Sequence, residues 1–190
     1  MKNLSGNSVS RVWRVDDSIY KMQPKSMCDN EVFALERLAL TGIVPEFRRI
    51  NDELIVMERV FSTPITDVSD VMIFGKYVLH SLEFYKVRHG DLTRPHVFVQ
   101  NNRIRIIDWG ESRYWYDPRP DKRREGDDYW LTITMKEILR EQKLTSGTDV
   151  SDSEAKCEFL ARQDDSGFRM WMGRHGVVFP DVRRAPSDSS

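Results

Sequence analysis

Between positions 9 and 22 apolar and polar residues alternate, with Val12-Trp13-Arg14-Val15 and Ile19-Tyr20-Lys21-Met22 on either side of Asp16-Asp17. This is the pattern of two antiparallel strands joined by a tight turn, and it puts Lys21 near the end of the second strand. Helical spacing takes over after Asp29-Asn30. Either residue is expected to cap a helix that aligns Val32, Leu35, Leu38 and Ala39, holds Glu31 in its first turn and ends at Thr41-Gly42. Positions 47–50 and 54–60 read as a second hairpin about Asn51-Asp52. The first third of the chain thus predicts a small sheet with one helix.

A longer helical pattern over 69–87, carrying Met72, Ile73, Tyr77, Val78, Leu79, Leu82, Phe84 and Tyr85, predicts a mostly buried helix. Two short strands follow over 97–100 and 103–107, joined at Asn101-Asn102 and bordered by clusters of polar residues. Asp117-Pro118-Arg119-Pro120 breaks regular structure, and 128–139 has the apolar spacing of another buried helix. A further short helix is expected over 153–162, and the small polar residues of 183–190 predict a frayed tail. No internal repeat is evident.

Composition narrows the class without naming a partner. A chain of 190 residues with 39% hydrophobic content can bury one core, so one domain or a compact two-lobed unit is expected. Charged residues make up 31%, yet the formal net charge is −1, so no global field steers the protein to nucleic acid or membrane. Arg103 and Arg105, alternating with Ile104 and Ile106, and the run Lys122-Arg123-Arg124 read as solvated surface. Cys28 and Cys157 have no metal or redox spacing, which fits a reducing compartment. Without an apolar leader at Met1–Gly6 or a stretch long enough to span a bilayer, a soluble cytoplasmic protein is expected.

The chemistry concentrates in His89-Gly90-Asp91-Leu92-Thr93-Arg94-Pro95-His96-Val97, followed by Ile106-Ile107-Asp108-Trp109-Gly110. Each aspartate alone reads as a turn or strand-end residue. Together, their spacing resembles the catalytic loop and metal motif of the protein-kinase-like phosphotransferase superfamily, in the HGDL form of aminoglycoside and choline phosphotransferases and small atypical kinases. The resemblance extends over roughly residues 4 to 140. Ile19-Tyr20-Lys21 resembles the strand lysine that holds phosphates, Glu31 its ion-pair partner, and Asp127-Asp128-Tyr129-Trp130-Leu131 the acidic start of the helix under the catalytic loop.

The resemblance implies an α+β, minimal bilobal protein-kinase-like fold: a small antiparallel N-lobe sheet with one helix over 1–60, a truncated, mainly helical C-lobe over 61–180 and a tail over 181–190. It implies ATP with Mg2+, or Mn2+, as cofactors and transfer of the γ-phosphoryl group to a hydroxyl of a protein or small molecule. Asp91 would align and deprotonate the incoming hydroxyl, and Asp108 would bind the metal. Lys21 would neutralise phosphate and Glu31 hold Lys21, in preference to Glu36 on another face of the helix. Gly6 would cover phosphates, and the backbone from Glu58 to Val60 would meet the adenine edge. His89 would brace the loop.

His96 departs from the pattern, standing where the family places a metal-binding asparagine. It is either a metal ligand or a loop histidine bonded to Asp91 or to backbone. The phosphate-covering segment Ser5-Gly6-Asn7-Ser8 holds one glycine where protein kinases usually show three. The chain after Leu139 is short for a protein-substrate platform. These departures keep open a pseudokinase, a nucleotide-binding or regulatory module without turnover, and a self-modifying regulator phosphorylated at positions such as Ser187–Ser190.

Overall fold

The computed structural model describes residues 2–3, 9–117 and 126–146. Gly6, Lys122–Arg124, Cys157, the helix expected over 153–162 and the tail lie outside the described residues.

Five antiparallel strands form the first sheet: β1 (Lys2–Asn3), β2 (Arg11–Val15), β3 (Ser18–Met22), β4 (Phe47–Arg49) and β5 (Leu54–Glu58), in the order β1-β2-β3-β5-β4. The expected hairpin about Asp16-Asp17 is present, with Asp16 in the left-handed region at φ 52°, a conformation that matches the twist of paired strands. β3 is the middle strand, and Lys21 is paired with Val12 on one side and Ile55 on the other. That position buries Lys21 from both edges of the sheet.

The helix behind the sheet, α1 (Lys25–Leu38), begins earlier than the Asp29-Asn30 pattern predicts. Pro24 occupies the cap position with φ −52°, a torsion its ring imposes and a helix start tolerates. Asp29 and Asn30 are therefore interior residues, and Glu31 lies beyond the first turn, which contains no acidic residue. Their polar groups are used laterally instead: Asp29 accepts from Arg49 at 2.7 Å across to β4. Of the expected inner stripe Val32, Leu35 and Leu38 are buried, joined by Ala34, whereas Ala39 falls in the 3-10 turn after α1 and is exposed. Gly42, at φ 70°, ends the segment in the left-handed conformation that glycine adopts without strain.

The second half is built on α2 (Val68–Phe84), whose Asp67 cap accepts from the amides of Ser69 and Asp70 at 2.8 and 3.1 Å. Against it lie β6 (Val87–Arg88), the hairpin β7 (Val97–Gln100) and β8 (Arg103–Ile106), β9 (Arg113–Tyr114) and α3 (Asp127–Ser146). β6 pairs with β9 and β7 with β8. Alternation sends Val97, Val99, Ile104 and Ile106 into the core that Val71, Phe74, Val78 and Leu82 supply from α2. The Ile106 amide donates to the Ile43 carbonyl at 2.7 Å, joining the second half to the segment after α1.

Arg103 is exposed as expected, but Arg105 is not simply solvated. Its guanidinium donates at 2.5 Å to Glu58, at the end of β5, and is only 19% exposed.

The loop between β6 and β7 is clamped from two directions. Asp127, at the start of α3, accepts from the His89 amide at 2.7 Å and from the Gly90 amide at 3.1 Å. His89 is fully buried; its Nε2–H donates to the Ile107 carbonyl at 3.0 Å, and its Nδ1 accepts from the Asp91 amide at 3.2 Å. A neutral ring satisfies both bonds, whereas a second proton would point at an N–H group. Burial, the main cause, pushes the His89 pKa down to about 4.

Two outcomes follow from this clamp. Asp127→Ala removes the acceptor of two backbone amides and is expected to cost about 1–3 kcal/mol, a fall in Tm of roughly 3–10 °C. Differential scanning calorimetry measures it, and an unchanged Tm would release the loop from Asp127. The neutral His89 contributes stability that is complete above the ordinary histidine pKa and drains away as pH falls towards about 4. For a shift of that size the loss is about 3 kcal/mol, and urea titrations of wild type and His89→Gln between these pH values should differ in slope.

Candidate functional site

The ammonium of Lys21 sits between two carboxylates from distant parts of the chain. Its Nζ is 2.7 Å from Glu31 Oε2 on α1 and 2.6 Å from Asp108 Oδ1, 87 residues away. Burial opposes the charge on Lys21, but Glu31 and Asp108 outweigh it, so its pKa is raised. Burial likewise works against the Asp108 carboxylate, and Lys21 overcomes it, holding that pKa below the ordinary value. The positive and negative forms therefore stabilise one another.

Glu31 is itself fully buried and every oxygen is used. Oε2 also accepts from Gln23 Nε2 at 2.6 Å, and Oε1 accepts from the Trp109 amide at 3.3 Å. Glu36, the other candidate on this helix, is exposed. Gln23 was not legible as a site residue, since a glutamine after a strand carries no spacing signal.

Asp108 follows β8 in the left-handed region, φ 63° and ψ 61°, at the start of a single 3-10 turn, Trp109–Glu111. A non-glycine residue there is held against a cost of about 1–2 kcal/mol. The turn is pinned on all sides. Trp109 is completely buried, its indole N–H donates to the Ile106 carbonyl at 3.0 Å, and its ring lies 4.5 Å from that of His89. Asn30 Nδ2 donates to the Gly110 carbonyl at 3.1 Å, and Ser112 Oγ donates to the Asn30 carbonyl at 2.6 Å. Asn30 and Ser112 thus tie α1 to the Asp108 turn, a role that their side-chain chemistry permits but their separation in sequence hides.

Asp91 and His96 close the same site from the loop. Gly90 precedes Asp91 at φ 81°, and a Cβ there would meet the Glu111 carbonyl oxygen at 2.9 Å, so the chain passes with no room for a side chain. His96 Nδ1 lies 2.8 Å from the Asp91 carbonyl oxygen and 4.0 Å from Asp91 Oδ2, and His96 Nε2 lies 3.4 Å from Asp108 Oδ2. His96 is thus bonded to the backbone of Asp91 through one ring nitrogen, as one of its two expected roles requires, while the other nitrogen faces the Asp108 carboxylate.

Of the other candidates, Glu58 ends β5 with its amide donating to the Glu46 carbonyl at 2.8 Å and its carboxylate on Arg105. Val60 lies two residues on, in the segment leading to α2. Gly6 is outside the described residues. Among the described residues no group of three or more His, Cys, Asp or Glu side chains is placed to hold a metal, so Asp108 and His96 offer two protein donors and no closed cage. A groove of about 1020 Å³ between α2 and α3, lined by Met72, Leu79 and Met135, includes none of Lys21, Glu31, Asp91, His96 or Asp108. Among the described residues no helix is long and apolar enough to cross a membrane.

No protein-family model matches the sequence, and no curated protein matches it by sequence. Solved structures do match in three dimensions. The streptomycin–ATP–APH(2")-IIa ternary complex aligns at 13% identity over 83% of this chain and 80% of that one, with a TM-score of 0.46. The Rio2 kinase–ADP/Mg2+–phosphoaspartate complex from Chaetomium thermophilum aligns at 12% identity over 93% of this chain, with a TM-score of 0.51. This chain spans 66% of the length of that Rio2 chain. On the likeness to the Rio2 structure, the expected α+β architecture, a small antiparallel sheet with one helix joined to a reduced helical half, is the protein-kinase-like fold.

Proposed function

We infer that the protein is an ATP-dependent phosphotransferase that moves the γ-phosphoryl group to a hydroxyl of a protein or a small molecule. The observation that carries this reading is the meeting of Lys21 with Asp108 across 87 residues, beside Glu31 and within the same site as Asp91. A buried cation flanked by an accessible carboxylate suits a ligand that is both anionic and metal-bound. Asp108 is 44% exposed on its side chain while Lys21 is 7% exposed, so the carboxylate is the face presented to a ligand.

In this reading the nucleotide supplies the phosphoryl group and the divalent ion neutralises its oxygens. Lys21, held by Glu31, places one fixed positive charge against the phosphates. Asp108 and His96 would hold the divalent ion together with the bound nucleotide. Mg2+ is compatible with Asp108, and the nitrogen of His96 extends the range to Mn2+. Asp91, 14% exposed on its side chain, orients the acceptor hydroxyl and takes its proton as the oxygen–phosphorus bond forms and ADP departs. The Glu58 amide is committed to Glu46; the Glu58 carbonyl and the Val60 amide are assigned to the adenine edge. Gly6 is assigned to covering the phosphates.

A second reading is a nucleotide-binding regulatory module without turnover. His96 favours it, because an imidazole at the asparagine position changes the donor set at the metal.

Incubation of the protein with γ-labelled ATP and Mg2+ or Mn2+ separates the two. Transfer or ATP turnover is expected in wild type and should fall by about 10²–10⁴ in Asp91→Ala, the range for loss of a positioned acid–base group. Asp108→Ala should abolish it. Thermal protection by ATP without turnover in any variant would establish the second reading. Lys21→Met should weaken ATP binding by roughly 10- to 100-fold, the loss of a charge-assisted contact of about 1.5–3 kcal/mol, as measured by titration calorimetry; unchanged affinity would remove Lys21 from the phosphates.

A further inference from the structure

The ring of His96 is oriented by a contact that settles its tautomer. Nδ1 is 2.8 Å from the Asp91 carbonyl oxygen, which also accepts from the Thr93 amide at 2.9 Å. A carbonyl oxygen cannot donate, so the Nδ1 atom carries the proton. The neutral ring then presents an unprotonated Nε2. The peptide that imposes this choice is itself fixed, since the amide of Asp91 donates to His89 Nδ1 at 3.2 Å. His89 and His96 stack at 6.0 Å between centroids and hold the Asp91 residue from its two ends in opposite tautomers.

Nε2, which carries the lone pair in that neutral tautomer, faces Asp108 Oδ2 at 3.4 Å. The second oxygen of that carboxylate, Oδ1, is held by Lys21 at 2.6 Å, so Oδ2 is the atom left on the His96 side. A nitrogen lone pair and a carboxylate oxygen turned toward each other repel unless a proton or a metal cation lies between them. Their spacing is long for an N–H···O bond, whose usual length is about 2.9–3.0 Å. Two neighbouring donors on one octahedral ion stand roughly 3 Å apart at Mg2+ bond lengths and farther apart on a larger ion.

We propose that His96 Nε2 and Asp108 Oδ2 form a nitrogen–oxygen donor pair that selects a first-row transition-metal ion, with Mn2+ as its probe, over Mg2+. The proposal rests on the nucleotide site inferred above, whose phosphate oxygens complete the coordination. Mg2+ is hard, sheds water reluctantly and takes oxygen donors, whereas imidazole suits the borderline ions. An amide oxygen at position 96 would remove that bias. With only two protein donors, the ion binds together with the nucleotide and not to the free protein.

The test uses the full chain, a non-hydrolysable ATP analogue and Mn2+ followed by electron paramagnetic resonance, with Mg2+ as competitor. Wild type should bind Mn2+ over Mg2+ with a preference about ten-fold greater than the analogue shows alone, and His96→Asn should return it to the value of the free analogue. Pulsed measurements should show nitrogen hyperfine coupling to the bound Mn2+ in wild type and none in His96→Asn. Thermal protection by the analogue is followed in parallel for both proteins. Analogue binding with no nitrogen coupling in wild type, or with the same metal preference in both proteins, overturns the donor pair and leaves the nucleotide site standing. Absence of analogue binding to wild type overturns both.

Discussion

The buried ammonium of Lys21 is the constraint around which the two halves of the molecule are arranged. Removing a charge from water costs several kcal/mol unless opposite charge and hydrogen bonds replace the lost solvation. Here Glu31 and Asp108 do so together, one from α1 and one from the turn after β8. Glu31 is more deeply buried than Lys21, and it is supported by Gln23 and the Trp109 amide, so its second oxygen does not remain unsatisfied. The same side chains that stabilise the buried pair therefore also set the position of the Asp108 turn relative to the sheet. A shift of α1 would strand Glu31, and a shift of the turn would strand Lys21.

Rigidity around the site comes from short polar links between elements that pack through apolar faces. Asp127 holds two amides of the loop between β6 and β7, Asn30 and Ser112 hold the Asp108 turn to α1, and Arg105 holds the end of β5 through Glu58. Each link is a side chain answering a backbone or charged group that regular secondary structure leaves unmatched. The left-handed Asp108 is retained under the same constraint, because the Trp109 side chain and amide both have fixed partners. Strain at a residue assigned to a ligand is thus supported by the fully buried tryptophan next to it. The two histidines extend the principle to protonation: identical side chains take opposite tautomers because one has a backbone N–H at Nδ1 and the other a carbonyl.

Much of the framework is legible in the chain itself. Alternation over 9–22, 47–58 and 97–106 reports strands because a side-chain period of two fits only a pleated backbone with one buried face. The stripe of Leu35 and Leu38 reports the inner face of α1 for the corresponding helical reason. Local patterns failed where a local signal was outvoted. Asp29-Asn30 has the chemistry of a cap, yet Pro24 starts the helix earlier and both polar side chains find partners across the fold. Arg105 has the alternation of a solvated strand position, yet a carboxylate from another strand lies opposite.

The sequence by itself determined strands β2 to β5, β7 and β8, the bodies of the three helices and the spacing of His89, Asp91, His96 and Asp108, since these depend on periodicity and on turn chemistry within a few residues. Only the tertiary structure decided which oxygens of Glu31 and Asp108 meet Lys21, which atoms of Asp108 and His96 face each other and how Gln23, Asn30 and Ser112 enter the site. Those choices depend on contacts between elements tens of residues apart. A one-dimensional pattern records the face on which a side chain lies, but distance, burial and the identity of the opposing atom are properties of the packed chain.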